Sequence, residues 1–279
     1  MDRSRRVTYG AGPMGIAWNG NRVLVTGASS GIGAGLAEEF ARRGAIVAVS
    51  GRDTGRLTAT ADLCRAHGAT VHELAADLGD PAAVDRLAAD TLSAMGGVDV
   101  LVNNAGIPKR RNVRVLDAAT VDTVMQVNFL GPTRLTLALL PQMLERGAGR
   151  IVNVSSVAAT LSSPGEAAYD ASKSALAVFS EAMAIDLWDT GIKVLIVYPG
   201  VVDTPLFQMP DNDPFTAPVE FITVGELVSA TFDALDRGAL EVYIPEYFKE
   251  FATGKANNVE GFVAGTAEYM AQQQGAGAE

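Results

Sequence analysis

The sequence predicts an α/β fold, a single doubly wound domain in which helices cover both faces of a parallel sheet of about seven strands. Short runs rich in Val and Ile alternate with amphipathic segments from residue 22 to residue 245. The short runs are apolar throughout, which is typical of strands buried on both faces. Their regular alternation with helical segments indicates parallel strands joined by helical crossovers.

Each element follows from its own local pattern. Continuous apolar runs predict strands at 23–26, 46–50, 71–74, 98–102, 151–154, 194–198 and 240–244. Apolar residues at helical spacing predict helices at 34–43, 81–95, 119–145 and 171–188. The domain is expected to span 22–245, with extensions at 1–21 and 246–279.

Composition excludes several classes of function. The chain has 279 residues and a formal charge of −10, which argues against general nucleic-acid binding because that needs a clustered basic face. A single cysteine, Cys64, excludes an intramolecular disulfide and fits a reducing, cytoplasmic compartment. The two histidines and the scattered acidic residues indicate no metal site. No charge-free run reaches the roughly 18 residues that a membrane span needs, so no membrane association is expected.

A glycine-rich turn follows the first predicted strand. The segment TGASSGIG (26–33) places glycines at 27, 31 and 33, where the backbone can turn tightly and approach a pyrophosphate at a helix N-terminus. With a strand before it and a helix after it, this matches the dinucleotide-binding fingerprint of a Rossmann domain. The same residues also read G-x-S-x-G, a hydrolase nucleophile pattern. That pattern needs a later histidine base, and the two histidines, His67 and His72, make the hydrolase interpretation untenable.

Tyr169 and Lys173 lie four residues apart at the start of a predicted helix, so their side chains share one face. A tyrosine titrates near pKa 10, which makes it a poor acid or base at neutral pH. A neighbouring ammonium favours the phenolate and lowers that pKa. The pair therefore suggests a tyrosine that transfers protons, although a surface Tyr–Lys pair would have the same spacing.

Further motifs surround this pair. NNAG (103–106), VNFLG (127–131), NVSSVAAT (153–160), YDASK (169–173) and PGVVDTP (199–205) occur in this order after the glycine turn. From about residue 22 to residue 245, the chain resembles the short-chain dehydrogenase/reductase family, whose members transfer a hydride with a nicotinamide cofactor.

The resemblance implies a role for each matching residue. Tyr169 would be the general acid/base, Ser156 would hydrogen-bond the substrate oxygen, and Lys173 would lower the pKa of Tyr169 and bind the nicotinamide ribose. Ser155 is the alternative to Ser156, and spacing favours Ser156 as the catalytic serine. Asn128 would hold a water in the proton relay, unless it is an interior asparagine that kinks its helix. The residues expected to contact the cofactor are Gly27, Ser29, Ser30, Gly31, Ile32, Gly33, Arg52, Asp77, Leu78, Asn104, Gly106, Tyr169, Lys173, Pro199, Gly200, Val202 and Thr204.

The end of the second predicted strand bears on cofactor choice. NAD-selective relatives place an acidic residue where this chain has Gly51, and Arg52 could bind a 2′-phosphate through its planar guanidinium. Asp53 is expected to cap the next helix. NADP(H) is therefore favoured over NAD(H). Ser30 weakens this preference, because many NADP-selective relatives carry a second basic residue at its position.

The substrate is expected to be a small carbonyl compound or alcohol. The 199–222 loop carries Phe207, Met209, Phe215 and Phe221, which predict an apolar pocket unless they only pack the loop onto the domain. Glu166 is a candidate polar determinant near the pocket mouth. The aromatic residues of the 246–279 extension are expected to cover the substrate mouth or to contact a neighbouring subunit.

The expected activity is interconversion of a ketone or aldehyde and an alcohol. The alternatives are a nucleotide-sensing protein without turnover and a dehydratase or epimerase with the same dyad. The resemblance also implies a homodimer or homotetramer, with helices 119–145 and 171–188 as interface candidates.

Overall fold

The structure, a computed structural model, describes Tyr9 and residues 17–209, 211–214 and 219–276. Seven strands in these residues form one parallel sheet. They are β1 (Arg22–Thr26), β2 (Ile46–Gly51), β3 (Val71–Ala75), β4 (Val100–Asn103), β5 (Gly149–Val154), β6 (Ile192–Pro199) and β7 (Glu241–Ile244). The strand order is β3-β2-β1-β4-β5-β6-β7 with parallel pairing throughout, which confirms the predicted doubly wound α/β fold.

Helices follow the strands and cover both faces of the sheet. They are α1 (Gly31–Arg42), α2 (Thr54–Ala66), α3 (Pro81–Met95), α4 (Ala118–Met125), α5 (Gly131–Arg146), α6 (Ala167–Asp186), α7 (Val224–Asp236), α8 (Phe248–Asn257) and α9 (Val259–Ala276). Helices α1, α2 and α7 pack on one face, against alternate strand residues such as Val23 and Val25. Helices α3, α5 and α6 pack on the other face, where Leu24 lies. The inner strands β1, β2 and β4 are therefore buried on both sides, which explains their largely apolar sequences, whereas the edge strands β3 and β7 are only partly buried.

The predicted helix 119–145 is divided in the structure. A π-helical turn, Gln126–Leu130, separates α4 from α5 and carries Asn128. Such turns insert one extra residue into the helical repeat and are frequent at functional sites.

The fourth strand also begins later than predicted. It starts at Val100, because the backbone N–H and carbonyl of Val98 bond to the side chain of Gln142.

The 199–222 loop contains a short 3₁₀ helix, Pro205–Gln208, and a bridge between Val202 and Ile222. The Asp213 carboxylate accepts a hydrogen bond from Asn112 N at 3.0 Å and pairs with Arg111 at 3.2 Å, so this loop is tied to the segment after β4. Some of the predicted segments lie outside the described residues. In this loop they are Pro210 and residues 215–218, and in the predicted 1–21 extension they are residues 1–8 and 10–16.

Two features of the described part of the chain concern membranes and metal ions. None of its helices combines the length and apolarity that crossing a membrane requires. It also contains no cluster of three or more His, Cys, Asp or Glu residues placed to hold a metal ion.

Candidate active site

A cavity of about 940 Å³ opens at the carboxyl ends of the strands. Its wall includes Thr26 at the end of β1, Gly51 at the end of β2, Val154 at the end of β5 and Pro199 at the end of β6. Strand order reverses between β1 and β4, which are neighbours in the sheet. In open α/β sheets, ligands bind outside the carboxyl ends at such a switch point. The cavity therefore lies where the fold favours a ligand site.

The glycine turn between β1 and α1 forms one end of this cavity. Gly27 and Gly31 have φ values of +64° and +55°, which non-glycine residues rarely adopt. A Cβ on Gly27 would lie 2.7 Å from Ala105 Cα, so the backbone approaches the next strand too closely for a side chain. Ser30 precedes α1 without capping it through its hydroxyl, which leaves the first helical N–H groups available to a ligand.

Gly33 has a different role from the other glycines. It is absent from the cavity wall, and a Cβ there would lie 2.3 Å from the carbonyl oxygen of Gly27. Asn104 Nδ2 donates to that same oxygen at 3.2 Å and to Thr26 O at 3.0 Å. Gly33 and Asn104 thus maintain the shape of the turn, and Asn104 also lines the cavity.

The end of the cavity beside β2 is polar. Arg52 is exposed on this wall and forms no salt bridge within the described residues. Asp53 caps α2 by accepting from Arg56 N at 3.0 Å, as the sequence predicted, and pairs with Arg56 Nε at 2.7 Å. Asp77 and Leu78, both expected to contact the cofactor, line the same end.

Tyr169, Ser156 and Lys173 meet on the cavity wall beneath the ends of β4 and β5. The Lys173 ammonium is buried, donates to Val154 O at 2.9 Å and lies 5.7 Å from the centre of the Tyr169 ring. Ser155 is turned away, since its hydroxyl donates to Lys173 O at 2.9 Å. The structure thus places the hydroxyl of Ser156, rather than that of Ser155, towards the Tyr169 phenol.

Burial dominates the proton equilibria of this group. It raises the pKa of the Tyr169 phenol above its ordinary value, while the hydrogen bond with Ser156 lowers that pKa by less. Burial also lowers the pKa of the Lys173 ammonium to about 8. The sequence had predicted a lowered pKa for Tyr169. The opposite direction results because removing both groups from water penalises their charged forms.

Asn128 is completely buried behind this group and does not line the cavity. Its Oδ1 accepts from Ile107 N at 2.8 Å, and its Nδ2 donates to Ile107 O and to Ser172 Oγ, both at 3.0 Å. It therefore joins the π-helical turn to the segment after β4 and to α6. A Cβ on Gly106 would lie 3.3 Å from Asn128 Oδ1 and 3.4 Å from Lys173 Nζ, so this glycine leaves room for both.

The segment after β6 completes the cavity wall with residues that are expected to contact the cofactor. Pro199, Gly200, Val202 and Thr204 all line the cavity. Gly200 N donates to Ile244 O at 2.7 Å, and a Cβ on Gly200 would lie 2.6 Å from Phe248. This glycine lets α8 pack directly under the loop.

Comparison with known proteins agrees with this geometry. Residues 21–213 match the sequence model of the short chain dehydrogenase family. The chain belongs to the short-chain dehydrogenase/reductase family. It is 40% identical over 189 residues to a 2-(R)-hydroxypropyl-CoM dehydrogenase of Xanthobacter autotrophicus. The matched region covers 66% of this chain and 76% of that relative.

Solved structures of other short-chain dehydrogenases have the same fold. One from Burkholderia phymatum in complex with NAD superposes with a TM-score of 0.80 at 26% identity, covering 88% of this chain and 96% of that one. Another from Sphingobium yanoikuyae in complex with NADPH has a TM-score of 0.78 at 32% identity, covering 88% and 95%. The chain is thus a nicotinamide-dependent oxidoreductase, and the two neighbours differ in cofactor.

Sequence reasoning missed one side of the cavity of this short-chain dehydrogenase. Buried Arg110 lines it, in a basic run that follows β4. Four residues of α9 line it as well, namely Phe262, Thr266, Tyr269 and Met270. The basic run KRR (109–111) was a visible signal for Arg110. The aromatic residues of 246–279 predict a cover for the substrate mouth or a contact with a neighbouring subunit, and the sequence does not decide between the two.

The expected substrate residues are divided by the structure. Glu166 and Met209 line the cavity. Phe221 is 49% exposed and is not part of the cavity wall. Phe215 and the side chain of Phe207 lie outside the described part. Of the four apolar residues expected from the loop, the structure therefore places Met209 in the pocket.

Proposed function

We propose that the protein is an NADP(H)-dependent carbonyl reductase or alcohol dehydrogenase. The observation that carries this proposal is the meeting of Tyr169, Ser156 and Lys173 on one wall of a cavity whose other end is the glycine turn. A relative named as a dehydrogenase of a hydroxypropyl compound supports an alcohol or ketone as substrate.

The cavity suits a dinucleotide at both of its ends. At the glycine turn, the uncapped N-terminus of α1 leaves N–H donors available to a pyrophosphate. Gly106 leaves a gap beside Lys173 where a side chain would interfere. A bound nicotinamide supplies or accepts the hydride at this end.

The roles of the protein groups follow from their positions. Tyr169 gives its phenolic proton to the carbonyl oxygen during reduction and removes a proton from the alcohol during oxidation. Ser156 donates a hydrogen bond to the same oxygen. Lys173, which Val154 O fixes, binds the ribose and stabilises the phenolate of Tyr169. Asn128 positions α6 and the Ile107 segment around them.

Charge at the β2 end supports NADP(H). Arg52 faces the cavity, and the nearby carboxylate of Asp53 is neutralised by Arg56. A 2′-phosphate would therefore meet a cation that has no acidic partner within the described residues. The proposed substrate is apolar, because Met209, Phe262 and Met270 line the opposite end. We further propose a cytoplasmic location, since the single thiol, Cys64, fits a reducing compartment.

Turnover of a panel of ketones and secondary alcohols, followed at the nicotinamide absorbance, tests this function. Tyr169→Phe should lower kcat by about 10²- to 10⁴-fold or more while leaving the dissociation constant for NADPH nearly unchanged, because it deletes the transferable proton. Tyr247→Phe, on an exposed tyrosine outside the cavity wall, is the matched control and should keep full activity.

Each competing function has its own result in this assay. Retention of more than about a tenth of the activity by Tyr169→Phe would show that another group is the acid. Tight NADPH binding without turnover of any panel member would favour the nucleotide-sensing alternative. Substrate conversion without net change at the nicotinamide absorbance would favour an epimerase or dehydratase.

A further inference from the structure

Glu166 is a buried carboxylate that forms no hydrogen bond or salt bridge with the described residues. The residue is 9% exposed and precedes the first residue of α6, but its side chain does not cap that helix. The charged or ionisable groups that interact electrostatically with it are Arg110, Tyr169 and Asp170. Buried polar groups in native structures are nearly always paired. An unpaired carboxylate at this position therefore needs an explanation.

The carboxylate of Glu166 faces the cavity. Glu166 lines the cavity wall together with Tyr169, which lies three residues later on the first turn of α6. Its oxygens are not among the completely enclosed, unpartnered polar atoms of the described residues, a group that includes Asp170 Oδ1. The carboxylate thus keeps its access to space through the cavity. A ligand in the cavity can reach it directly.

The charges around Glu166 indicate which kind of group it would bind. Burial raises the pKa of its carboxyl, and the nearby Arg110 guanidinium lowers that pKa. Arg110 is itself fixed by donation from Nε to Asp213 O at 2.9 Å. The carboxyl of Asp170 also interacts with Glu166, but burial raises the pKa of Asp170 to about 7, so it adds less negative charge than an ordinary aspartate. Arg110 already compensates part of the Glu166 charge and would repel a second cation from the substrate. A neutral hydrogen-bond donor such as a hydroxyl group fits this position better than an ammonium.

The rest of this end of the cavity is apolar. Leu161, Met209, Phe262 and Met270 contribute to it. Glu166 lies close enough to Tyr169 for its charge to raise the pKa of the Tyr169 phenol. A substrate group that reaches Glu166 while the carbonyl oxygen reaches Tyr169 is therefore expected near the carbonyl carbon.

We propose that Glu166 determines substrate specificity by accepting a hydrogen bond from a hydroxyl group next to the reacting carbonyl. The substrate class is an otherwise apolar hydroxyketone, or the corresponding diol in the oxidation direction. This proposal rests on the function proposed above and assigns its substrate class.

A matched pair of ketones tests the proposal. 2-Hydroxyacetophenone and propiophenone differ in having a hydroxyl or a methyl group at the same position. For each enzyme, the ratio of kcat/KM for the two ketones is measured with saturating NADPH. Comparing that ratio between enzymes cancels the intrinsic reactivity of the ketones. Glu166→Leu should reduce the ratio by about 10- to 100-fold relative to the wild type, since hydrogen bonds to charged groups are strong.

Two further variants sharpen the result. Glu166→Gln should keep an intermediate ratio, because its amide oxygen still accepts a hydrogen bond without the charge. Glu246→Leu is the control, since Glu246 is an exposed glutamate that is absent from the cavity wall, and it should leave the ratio unchanged. An unchanged ratio in Glu166→Leu, or an equal fall in Glu246→Leu, would overturn the proposal.

Binding separates this proposal from the proposed function. Calorimetric titration of the NADP⁺ complex, which has no hydride to transfer to a ketone, should show tighter binding of the hydroxyketone to the wild type, and that difference should disappear in Glu166→Leu. Selective binding without turnover would contradict the reductase function and support the role of Glu166. Turnover of both ketones without any selectivity that depends on Glu166 would do the reverse.

Discussion

Lys173 is a cation that the fold removes almost entirely from water. It is 3% exposed, and its hydrogen bond to a protein acceptor is made to the neutral carbonyl of Val154. Burial lowers its pKa from 10.5 to about 8. Burying an ammonium against one neutral acceptor lowers the stability of the folded state, because the charge loses its hydration. The proposed roles of the ammonium, acting on the Tyr169 phenol and on a ligand hydroxyl, explain why the fold carries this cost.

This cost predicts a pH-dependent stability difference between the wild type and Lys173→Met. The folded-state pKa is depressed, so between about pH 8 and 10.5 the unfolded chain binds more protons than the folded one, and Lys173 makes wild-type stability rise with pH. Relative to Lys173→Met, the free energy of unfolding of the cofactor-free wild type should increase by as much as about 3 kcal/mol across this range. Urea unfolding at several pH values measures the difference. A difference that stays constant with pH would mean that the ammonium is not buried as described.

The proposed preference for NADP(H) rests on Gly51 and Arg52, and the space around Gly51 determines which variant tests it. A Cβ on Gly51 would lie 2.3 Å from Ser29 Oγ, so an acid introduced there needs the serine hydroxyl to move or to be removed. The appropriate variant is Gly51→Asp with Arg52→Ala and Ser29→Ala. The new acid can bind a 2′-hydroxyl and repels a 2′-phosphate.

The wild type should prefer NADPH by about 10-fold in kcat/KM, near the lower limit for a charge-assisted contact, because Arg52 is exposed. The triple variant should prefer NADH, and Ser29→Ala alone should keep the wild-type preference. The preference should also shrink as salt rises. Equal or better kcat/KM of the wild type with NADH would refute the assignment of Arg52.

At the scale of elements, helix α9 forms one wall of the end of the cavity that is proposed to bind the substrate. Phe262 lines the cavity, whereas the adjacent Val263 is 54% exposed and does not. Phe262→Ala should therefore raise the KM for an apolar ketone by about 5- to 10-fold, through the loss of part of a buried aromatic contact. Val263→Ala should leave KM unchanged, and neither substitution should alter NADPH affinity, because the glycine turn is at the other end. Equal effects of the two substitutions would indicate that α9 acts through overall stability instead.

The sequence predicted inner strands such as β1, β2 and β4 well because they are buried on both faces and consist largely of Val and other apolar residues. The errors lie where a contact with a side chain replaces a hydrogen bond between strands, as at Val98, or where an extra residue enters a helix, as at Asn128. Most of the motif residues line one cavity because parallel strands end at the same edge, whereas Gly33 and Asn128 do not line it. Arg110 and the α9 residues were missed because their proximity to Tyr169 depends on the paths of loops, which local pattern does not encode.

At the scale of the whole molecule, α5 and α6 leave an apolar surface exposed. Leu137 and Leu144 on α5 are 55% and 43% exposed, and Val178 and Ile185 on α6 are 62% and 73% exposed. In each pair the residues are seven apart, so they lie on one face of their helix. These are the two helical regions that the sequence indicated as subunit contacts, and a two-fold pairing of such surfaces would cover them.

Two copies of this chain can associate only if their contact overcomes the electrostatic repulsion between them. Each chain carries a formal charge of −10, so two copies repel each other at long range and the contact between them must be apolar enough to compensate. Leu137→Glu with Ile185→Glu should therefore convert a dimer or tetramer into smaller species, because it places four buried carboxylates in a two-fold interface. Light scattering at matched concentration measures the mass of the assembly.

Val115→Glu is the control. It adds charge at an apolar side chain that is 69% exposed and lies outside these helices, so it should not change the mass. A wild-type monomer at working concentration, or a loss of mass in both variants, would mean that this surface does not join subunits.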